Sequence, residues 1–312
     1  MYHEIARNKR RSIAYVILFV LIWIGVGALV GWLVGAGSTR PGHTSAMPDV
    51  VFGIVVAAVF AAAAAAFSLV SGARLVLATA GARPADPARY AALCDLVEAL
   101  AIGDGLPTPA VYVIDDPAPN ACATGISPQH AAVCVTTGLL AVMDREELEG
   151  VLAHEMSHIK NFDTRLLLIV ATMIGLAGLL SATLWRTAVL VRGQGRNAAQ
   201  VTAITLLASA LLAVVGFLVG PLIRLAVSRR REAMADASGV ELTRNPAGLL
   251  RALRDLDRTQ APLKRVNHAT ASMFICDPLR HHEGFVHRLF DTHPPLAERI
   301  AALESMLRTR TV

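Results

Sequence analysis

Residues 144–160 read DREELEGVLAHEMSHIK and predict a single helix that carries chemistry. Asp144 followed three residues later by Glu147 is the capping-box pattern that begins helices. Leu152 and Met156 lie four positions apart and mark one apolar face of that helix. The stretch therefore predicts an amphipathic helix with two histidines near its end.

The two histidines, His154 and His158, lie at positions i and i+4 of this helix. They project from one helical face a few ångströms apart, which suits two nitrogen ligands of a tetrahedral Zn²⁺ ion. Glu155 is turned about 100° around the helix axis, so it can face a water at the metal without being a ligand. The other interpretation is two surface histidines on an ordinary amphipathic helix.

Uncharged stretches lie on either side of this helix. Each has about 20 residues or more, enough at 1.5 Å per residue to cross roughly 30 Å of hydrocarbon. They are Ser12–Ala36, Val51–Gly72, Leu166–Trp185 and Ala198–Ile223. Four membrane spans are predicted, and the first is too long for a cleaved signal peptide, whose apolar part has 7–15 residues.

The composition agrees with a membrane protein. Of the 312 residues 54% are hydrophobic and 17% are charged, whereas soluble domains have about 45–50% and about 25%. This excludes a disordered, collagen-like or disulfide-scaffold protein and argues against a purely soluble enzyme. The cysteines have no paired spacing, which predicts neither a disulfide framework nor a zinc ribbon. They are Cys94, Cys122, Cys134 and Cys276.

Basic residues next to the spans predict the orientation. Clusters of them precede the first span and follow the fourth, which places both termini in the cytoplasm by the positive-inside rule and favours a membrane surface over nucleic acid as partner. The clusters are Arg7, Lys9, Arg10 and Arg11, and then Arg229, Arg230 and Arg231. The loop at 37–49 holds only Arg40 as a cation, as expected outside. Arg186, Arg192 and Arg196 fit an outside loop less well, which indicates a shifted third span or a hairpin that does not fully cross.

The spans divide the chain into four parts. Residues 1–72 form a membrane hairpin (spans about 12–36 and 51–72), and 73–165 the first part of an aqueous domain. Residues 166–224 form a second hairpin (spans about 166–190 and 198–223), and 225–312 the second part of that domain. The two aqueous parts together have enough residues for one core.

Within the aqueous parts the patterns predict a mostly helical α+β fold. Helices are expected at 87–102, from 144, at 246–256 and at 296–307, with strands at 110–114 and 131–136 and an extended piece at 120–125. In the first span, Gly27, Gly31 and Gly35 either allow a second helix to approach closely or reflect the general frequency of glycine in membrane helices.

A third metal ligand is needed. A further histidine six residues after His158 is absent, since Thr164 stands there and Asn161 replaces the usual glycine. The remaining solution is a carboxylate from a later helix. Glu232 and Asp236 lie one turn apart after the fourth span, although such a pair is usually a solvated face. A hairpin of two spans would return Glu232 to the membrane surface where His158 ends its helix, with Asp236 as partner of a histidine ring.

At this point the sequence resembles the HtpX family of membrane zinc proteases, which is related to the CAAX prenyl proteases. The resemblance covers nearly the whole chain. It rests on the HExxH helix with Asp163 five residues after its second histidine, the ExxxD pair of Glu232 and Asp236, NACATG at 120–125, and THPPL at 292–296 followed by Arg299. The four predicted spans favour HtpX over the CAAX proteases, which have more. The chain departs from the family at Cys122, where phenylalanine is common.

The resemblance implies a zincin-like cytoplasmic catalytic domain split by the third and fourth spans. It also implies one Zn²⁺ ion held by His154, His158 and Glu232, with Glu155 as catalytic base. Further residues are implied around them: Asp236 and Asp163 as partners of the ligands, and His293 and Arg299 as catalytic groups lining the cleft, either of which is a candidate donor to the oxyanion. Asn120, Ala121, Cys122 and Ala123 are implied on an edge strand that pairs with substrate.

The expected activity is endoproteolysis of cytoplasmic loops or exposed segments of damaged membrane proteins. No G-x-x-x-x-G-K-[ST] loop occurs, so no nucleotide motor is expected, and the resemblance implies quality control under stress. Two other functions stay open: a zinc-stabilised scaffold or chaperone without turnover, and a channel or transporter, which the absence of ionisable groups from the spans disfavours. Lysine occurs only at Lys9, Lys160 and Lys264, a bias that suggests a GC-rich bacterial genome and hence an inner-membrane location.

Overall fold

The computed structural model describes residues 2–36, 45–191, 198–226, 229–259, 261–265, 270–276 and 296–310. Its helices are α1 Tyr2–Ala36, α2 Met47–Thr79, α3 Ala91–Asp104, α4 Thr137–Val142, α5 Arg145–Lys160, α6 Asp163–Val191, α7 Ala198–Ala226, α8 Arg229–Thr243, α9 Pro246–Thr259 and α10 Leu296–Arg310. Its strands are β1 Ala82–Pro84, β2 Ala110–Ile114, β3 Ala121–Gly125 and β4 Ala131–Thr136. The expectation of a mostly helical α+β protein is confirmed.

The chain divides into two compact units. The first unit contains residues 1–10, 71–168 and 221–312, and the second contains 11–70 and 169–220. Among the described residues three helices are long and apolar enough to cross a membrane: Ile5–Ala36, Met47–Thr79 and Asp163–Leu190. Within α7 the apolar helix is Ala199–Val214, which is shorter than the candidate spans. The fourth span therefore stays a prediction.

The second unit packs its helices through small and polar contacts. A Cβ added to Gly27 would clash with the Gly53 carbonyl oxygen of α2, one at Gly31 with the Asp49 carbonyl oxygen, and one at Gly35 with Ala46, just before α2. The glycine stripe therefore allows α1 and α2 to approach closely, as the first interpretation of it predicted. Ser181 and Ser209 exchange hydrogen bonds to each other's carbonyl oxygens, each of 2.9 Å, and join α6 to α7.

The first unit contains a four-stranded sheet of order β1-β2-β4-β3. Strands β2 and β4 are parallel, and the other neighbours are antiparallel. Strand β3 is thus at one edge of the sheet, beside helix α5. The predicted bounds of β2 and β4 are confirmed to the residue.

Helix α5 lies at the centre of the first unit's core. Its residues Val151, Leu152 and Met156 are fully buried, and they pack with apolar residues of β4 and α9. Each such side chain contributes about 1.5–3 kcal/mol by leaving water. The predicted capping box is confirmed: the Glu147 amide donates to Asp144 Oδ1 and the Asp144 amide to Glu147 Oε2, each over 2.9 Å.

One expectation about the cysteines is wrong. Cys122 and Cys134 stand directly opposite each other on the antiparallel strands β3 and β4, with Cα atoms 5.2 Å apart, and a disulfide joins them. Their spacing in the sequence cannot indicate this pairing, because strand register sets it. The thiols of Cys94 and Cys276 take no part in a disulfide within the described part of the chain.

Candidate metal centre

Three side chains from two helices converge at the buried end of α5. The Nε2 atoms of His154 and His158 are 3.2 Å apart, and each is 3.6 Å from an oxygen of Glu232 on α8. Two ligands bound at 2.0–2.1 Å to a tetrahedral zinc ion lie roughly 3.3 Å from each other. Within the described residues these three form the group whose donor atoms could hold one metal ion.

The close packing of α8 on α5 depends on Gly239. A Cβ at this position would lie 3.1 Å from the backbone nitrogen of His154, so a larger residue would push the two helices apart. The lack of a side chain there allows Glu232, two turns earlier on α8, to approach both imidazoles.

The outer ring nitrogens each face a carboxylate. His154 Nδ1 is 2.9 Å from Asp236 Oδ1, and His158 Nδ1 is 3.1 Å from Asp163 Oδ2. A proton on each Nδ1 leaves the Nε2 lone pairs facing the shared point between the rings, as metal-binding histidines require. The structure therefore places Asp236 beside the His154 ring and Asp163 beside the His158 ring.

The charges around this point suit a divalent cation. Four buried carboxylates surround it, namely those of Glu155, Asp163, Glu232 and Asp236. The buried guanidinium groups among the described residues there are those of Arg231 and Arg299. With neutral imidazoles, negative charge exceeds positive charge by two, which a bound Zn²⁺ would balance. Donor types, spacing and charge thus all fit the metal that the motif implied.

The two histidines lie in opposite electrostatic environments. Burial and the positive charge of Arg299 lower the pKa of His154 to about 4. Burial acts the same way on His158, but the carboxylates of Glu232 and Asp163 outweigh it and raise the pKa of that ring to about 9. The negative charge of the site is therefore concentrated around His158, whereas the positive charge of Arg299 acts on His154.

Arg299 contacts Asp236 more closely than any other group described for it. Its Nε and Nη2 donate to the two Asp236 oxygens over 2.9 and 2.6 Å, while Nη2 is 3.3 Å from His154 Nδ1. Burial opposes ionisation of Asp236, but Arg299 and His154 lower its pKa to about 2. Arg299 is not among the described residues that line the cavity at the site. The other predicted catalytic group, His293, lies outside the described residues.

A small cavity opens beside the three donor atoms. Its lining includes His154, His158, Glu232 and Glu155, together with Ala123 of β3 and the segment Ser272–Ile275. Glu155 is buried, with 3% of its surface exposed, and it faces the same space without belonging to the ligand group. This is the placement that helix geometry predicted for it.

The edge strand β3 is partly covered by the chain itself. The Ile275 amide donates to the Ala121 carbonyl over 2.9 Å, and Cys122 pairs with Phe274 in an isolated antiparallel bridge. The Asn120 side chain donates to the Cys276 carbonyl over 3.1 Å. Of the four predicted substrate-binding residues, only Ala123 lines the cavity. The sequence did not indicate that Phe274 and Ile275 cover β3, because these residues do not lie in a strand-like pattern.

Comparison with known sequences identifies the protein family of this chain. A model of peptidase family M48 matches residues 87–307, and the chain belongs to this family: it is a metalloprotease. Among curated relatives it is similar to the protease HtpX homologue of Caldanaerobacter subterraneus subsp. tengcongensis, with 39% identity over 98% of both chains. It is also similar to that of Tropheryma whipplei, with 41% identity over 98% of both. The expected resemblance is confirmed.

Among solved structures, the chain is similar to the crystal structure of S. mikatae Ste24p, with 19% identity and a TM-score of 0.46, covering 97% of this chain and 67% of that one.

Proposed function

We propose that this metalloprotease is a membrane-bound zinc endopeptidase that works without ATP. It would cleave cytoplasmic loops or exposed segments of damaged or misfolded membrane proteins, as quality control under stress. The main support is the convergence of two imidazoles and a carboxylate on one buried point, beside a further buried glutamate. The substrates and the stress role rest on the similarity to HtpX homologues and on the long apolar helices.

In this proposal His154, His158 and Glu232 hold one zinc ion. Zinc, when bound, lowers the pKa of a water molecule toward roughly 7 and polarises the scissile carbonyl. Glu155 accepts the proton of the attacking water and later delivers it to the leaving amine. Its burial among apolar groups of the cavity keeps bulk water from competing for that proton.

The remaining polar groups orient these residues. The Nδ1–H groups of His154 and His158 donate to Asp236 and Asp163 respectively, and these hydrogen bonds fix the orientation of the two rings. Arg299 holds Asp236 in place, because both of its short hydrogen bonds go to that carboxylate. This geometry favours a positioning role for Arg299 over the oxyanion contact that the sequence suggested. His293 stays the predicted oxyanion donor.

For the membrane arrangement we propose four spans, with both termini and the active site on the cytoplasmic side of a bacterial inner membrane. The catalytic domain is then formed by residues 73–165 and 225–312, and the hairpin 166–224 is inserted between them. Helix α7 supports the fourth span, since its 29 residues would extend about 43 Å.

Substrate would bind as an added strand at the edge of β3. Ala121 already accepts a hydrogen bond from Ile275 at this edge, and main-chain groups of alternate residues face the same side of a strand. The backbone of Ala123, next to the metal ligands, therefore faces the same edge. We propose that the scissile segment pairs from Ala123 towards Gly125.

A scan of N-methylated peptides tests this binding mode. Single N-methyl groups along a cleaved peptide should lower kcat/KM roughly 2–10-fold at every second residue near the cleavage site, as expected for loss of one hydrogen bond. The intervening positions should change little, and they serve as internal controls. Equal losses at consecutive positions would contradict strand addition.

Activity and orientation can be tested together in sealed membrane vesicles. Inside-out vesicles should cleave added casein without nucleotide, and 1,10-phenanthroline should stop the reaction, because it removes zinc. Right-side-out vesicles should leave casein intact until detergent opens them. Vesicles with the Glu155→Gln variant serve as the control for other proteases. A protein that binds metal but never cleaves casein would instead favour the scaffold function.

A further inference from the structure

Asn8 is a buried polar residue with no role in the function described so far. It lies in the basic N-terminal part of α1, before the uncharged stretch that begins at Ser12, and its side chain is fully shielded from solvent, at 0% exposed. A buried amide is costly unless it is hydrogen-bonded. The Asn8 amide nitrogen donates to Asp163 Oδ1 over 2.7 Å and to the Asn161 carbonyl over 3.0 Å.

Both bonds of Asn8 lead to the metal helix. Asn161 caps the C-terminal end of α5, and Phe162 follows it with a left-handed φ of 60°. Asp163 then begins α6. Asn8 therefore holds the tight turn that joins these two helices, at a point 155 residues away in the sequence.

The Asp163 carboxylate divides its two oxygens between different partners. Oδ2 faces His158 Nδ1 at 3.1 Å. Oδ1 accepts from Asn8, and Arg231 Nη1 is 3.4 Å away from it. The contact with Asn8 is the shorter one, so it determines the plane of the carboxylate. Without it, attraction to Arg231 would be free to rotate the carboxylate away from the imidazole.

An amide suits this position better than a charged donor. A second guanidinium or ammonium group on Asp163 would draw its negative charge away from His158 and reduce the basicity of that ligand. The amide fixes the carboxylate and adds no charge. The neighbouring Lys9 instead lies over the Phe162 ring, with its Nζ atom 4.4 Å from the ring centroid.

We propose that Asn8 is a positioning residue of the metal centre. It holds Asp163 in the plane that keeps the His158 Nε2 lone pair directed at the metal, and it makes the N-terminal end of α1 part of the site. The inference rests on the proposed metal centre and extends it to a residue that touches no ligand directly.

The test measures metal binding by the purified full-length protein in detergent. Asn8→Ala should release zinc to a chelator several-fold faster than the wild type, up to about 10-fold, because Asn8 acts through Asp163 and the loss of a direct partner of a ligand costs 10–100-fold. The visible absorption of the cobalt-loaded protein should also change, because the His158 ring is held less firmly. Asn8→Gln keeps an amide donor on a longer side chain, so it should recover most of the affinity without the wild-type cobalt spectrum.

Ser12→Ala is the matched control, since Ser12 is a buried polar residue one turn further along α1. Unchanged zinc release and cobalt spectra in Asn8→Ala would overturn the proposal, as would an equal loss in Ser12→Ala. If Asn8→Ala does not fold, an unchanged cobalt spectrum in Asn8→Gln overturns it. Failure of the metal centre itself would appear differently, as a wild-type protein that binds no stoichiometric zinc.

Discussion

Glu155→Gln is expected to keep its metal and lose proteolysis by at least about 10³-fold, or roughly 4 kcal/mol of transition-state stabilisation. Glutamine fills the same space but cannot accept a proton from the attacking water. The side chain lines the cavity next to the three donor atoms and is not one of them, so metal binding should persist. The measurements are casein cleavage rates and zinc per chain.

Glu149→Gln on the same helix is the matched control, because that residue is partly exposed and lies away from the cavity. It should retain wild-type activity and metal content. Cleavage by Glu155→Gln at the wild-type rate would remove Glu155 from its proposed role. Loss of zinc from this variant would show instead that Glu155 supports the ligands.

Glu232→Ala is expected to lower metal affinity by at least about 10²-fold, since changing a mere partner of a ligand already costs 10–100-fold. The carboxylate supplies the oxygen donor and much of the negative charge at the His158 side of the site. Proteolysis should disappear with the metal. Metal analysis after dialysis against a weak chelator gives the affinity ratio.

Thermal unfolding separates metal loss from misfolding in this variant. A bound ion stabilises the folded state according to its concentration relative to Kd, by about 2.7 kcal/mol at a hundredfold excess. Added zinc should therefore raise the Tm of the wild type and of Glu241→Ala, an exposed carboxylate on the same helix. The same zinc concentration should raise the Tm of Glu232→Ala much less, because a site weakened a hundredfold is only about half filled there. Stoichiometric zinc in Glu232→Ala would disprove its role as a ligand.

Local patterns allowed much of the first compact unit to be predicted. The capping box at Asp144 and Glu147 and the bounds of β2 and β4 agree with the structure, because neighbouring residues determine helix starts and strand periodicity. The pairing of Glu232 with the two histidines could also be anticipated. A hairpin of two helices brings its two ends together, whatever the side chains between them.

Contacts set by register or distant packing could not be predicted. The Cys122–Cys134 pair depends on how β3 aligns with β4, and the cover of β3 by Phe274 depends on a segment with no strand pattern. Asn8 reads as part of a basic flank, and its bond to Asp163 appears only once α1 is folded against the α5–α6 turn. The family resemblance implied a catalytic role for Arg299, whereas its two hydrogen bonds to Asp236 favour the positioning role proposed above.

The order in which the ribosome makes these residues has a consequence for the cell. The HExxH helix is made halfway through synthesis, but Glu232 follows only after the entire α6–α7 segment, and Arg299 comes 145 residues after His154. With the proposed ligand set, a nascent chain would present its two histidines before the carboxylate that completes the metal site. Metal binding, and proteolysis with it, would then begin only late in synthesis.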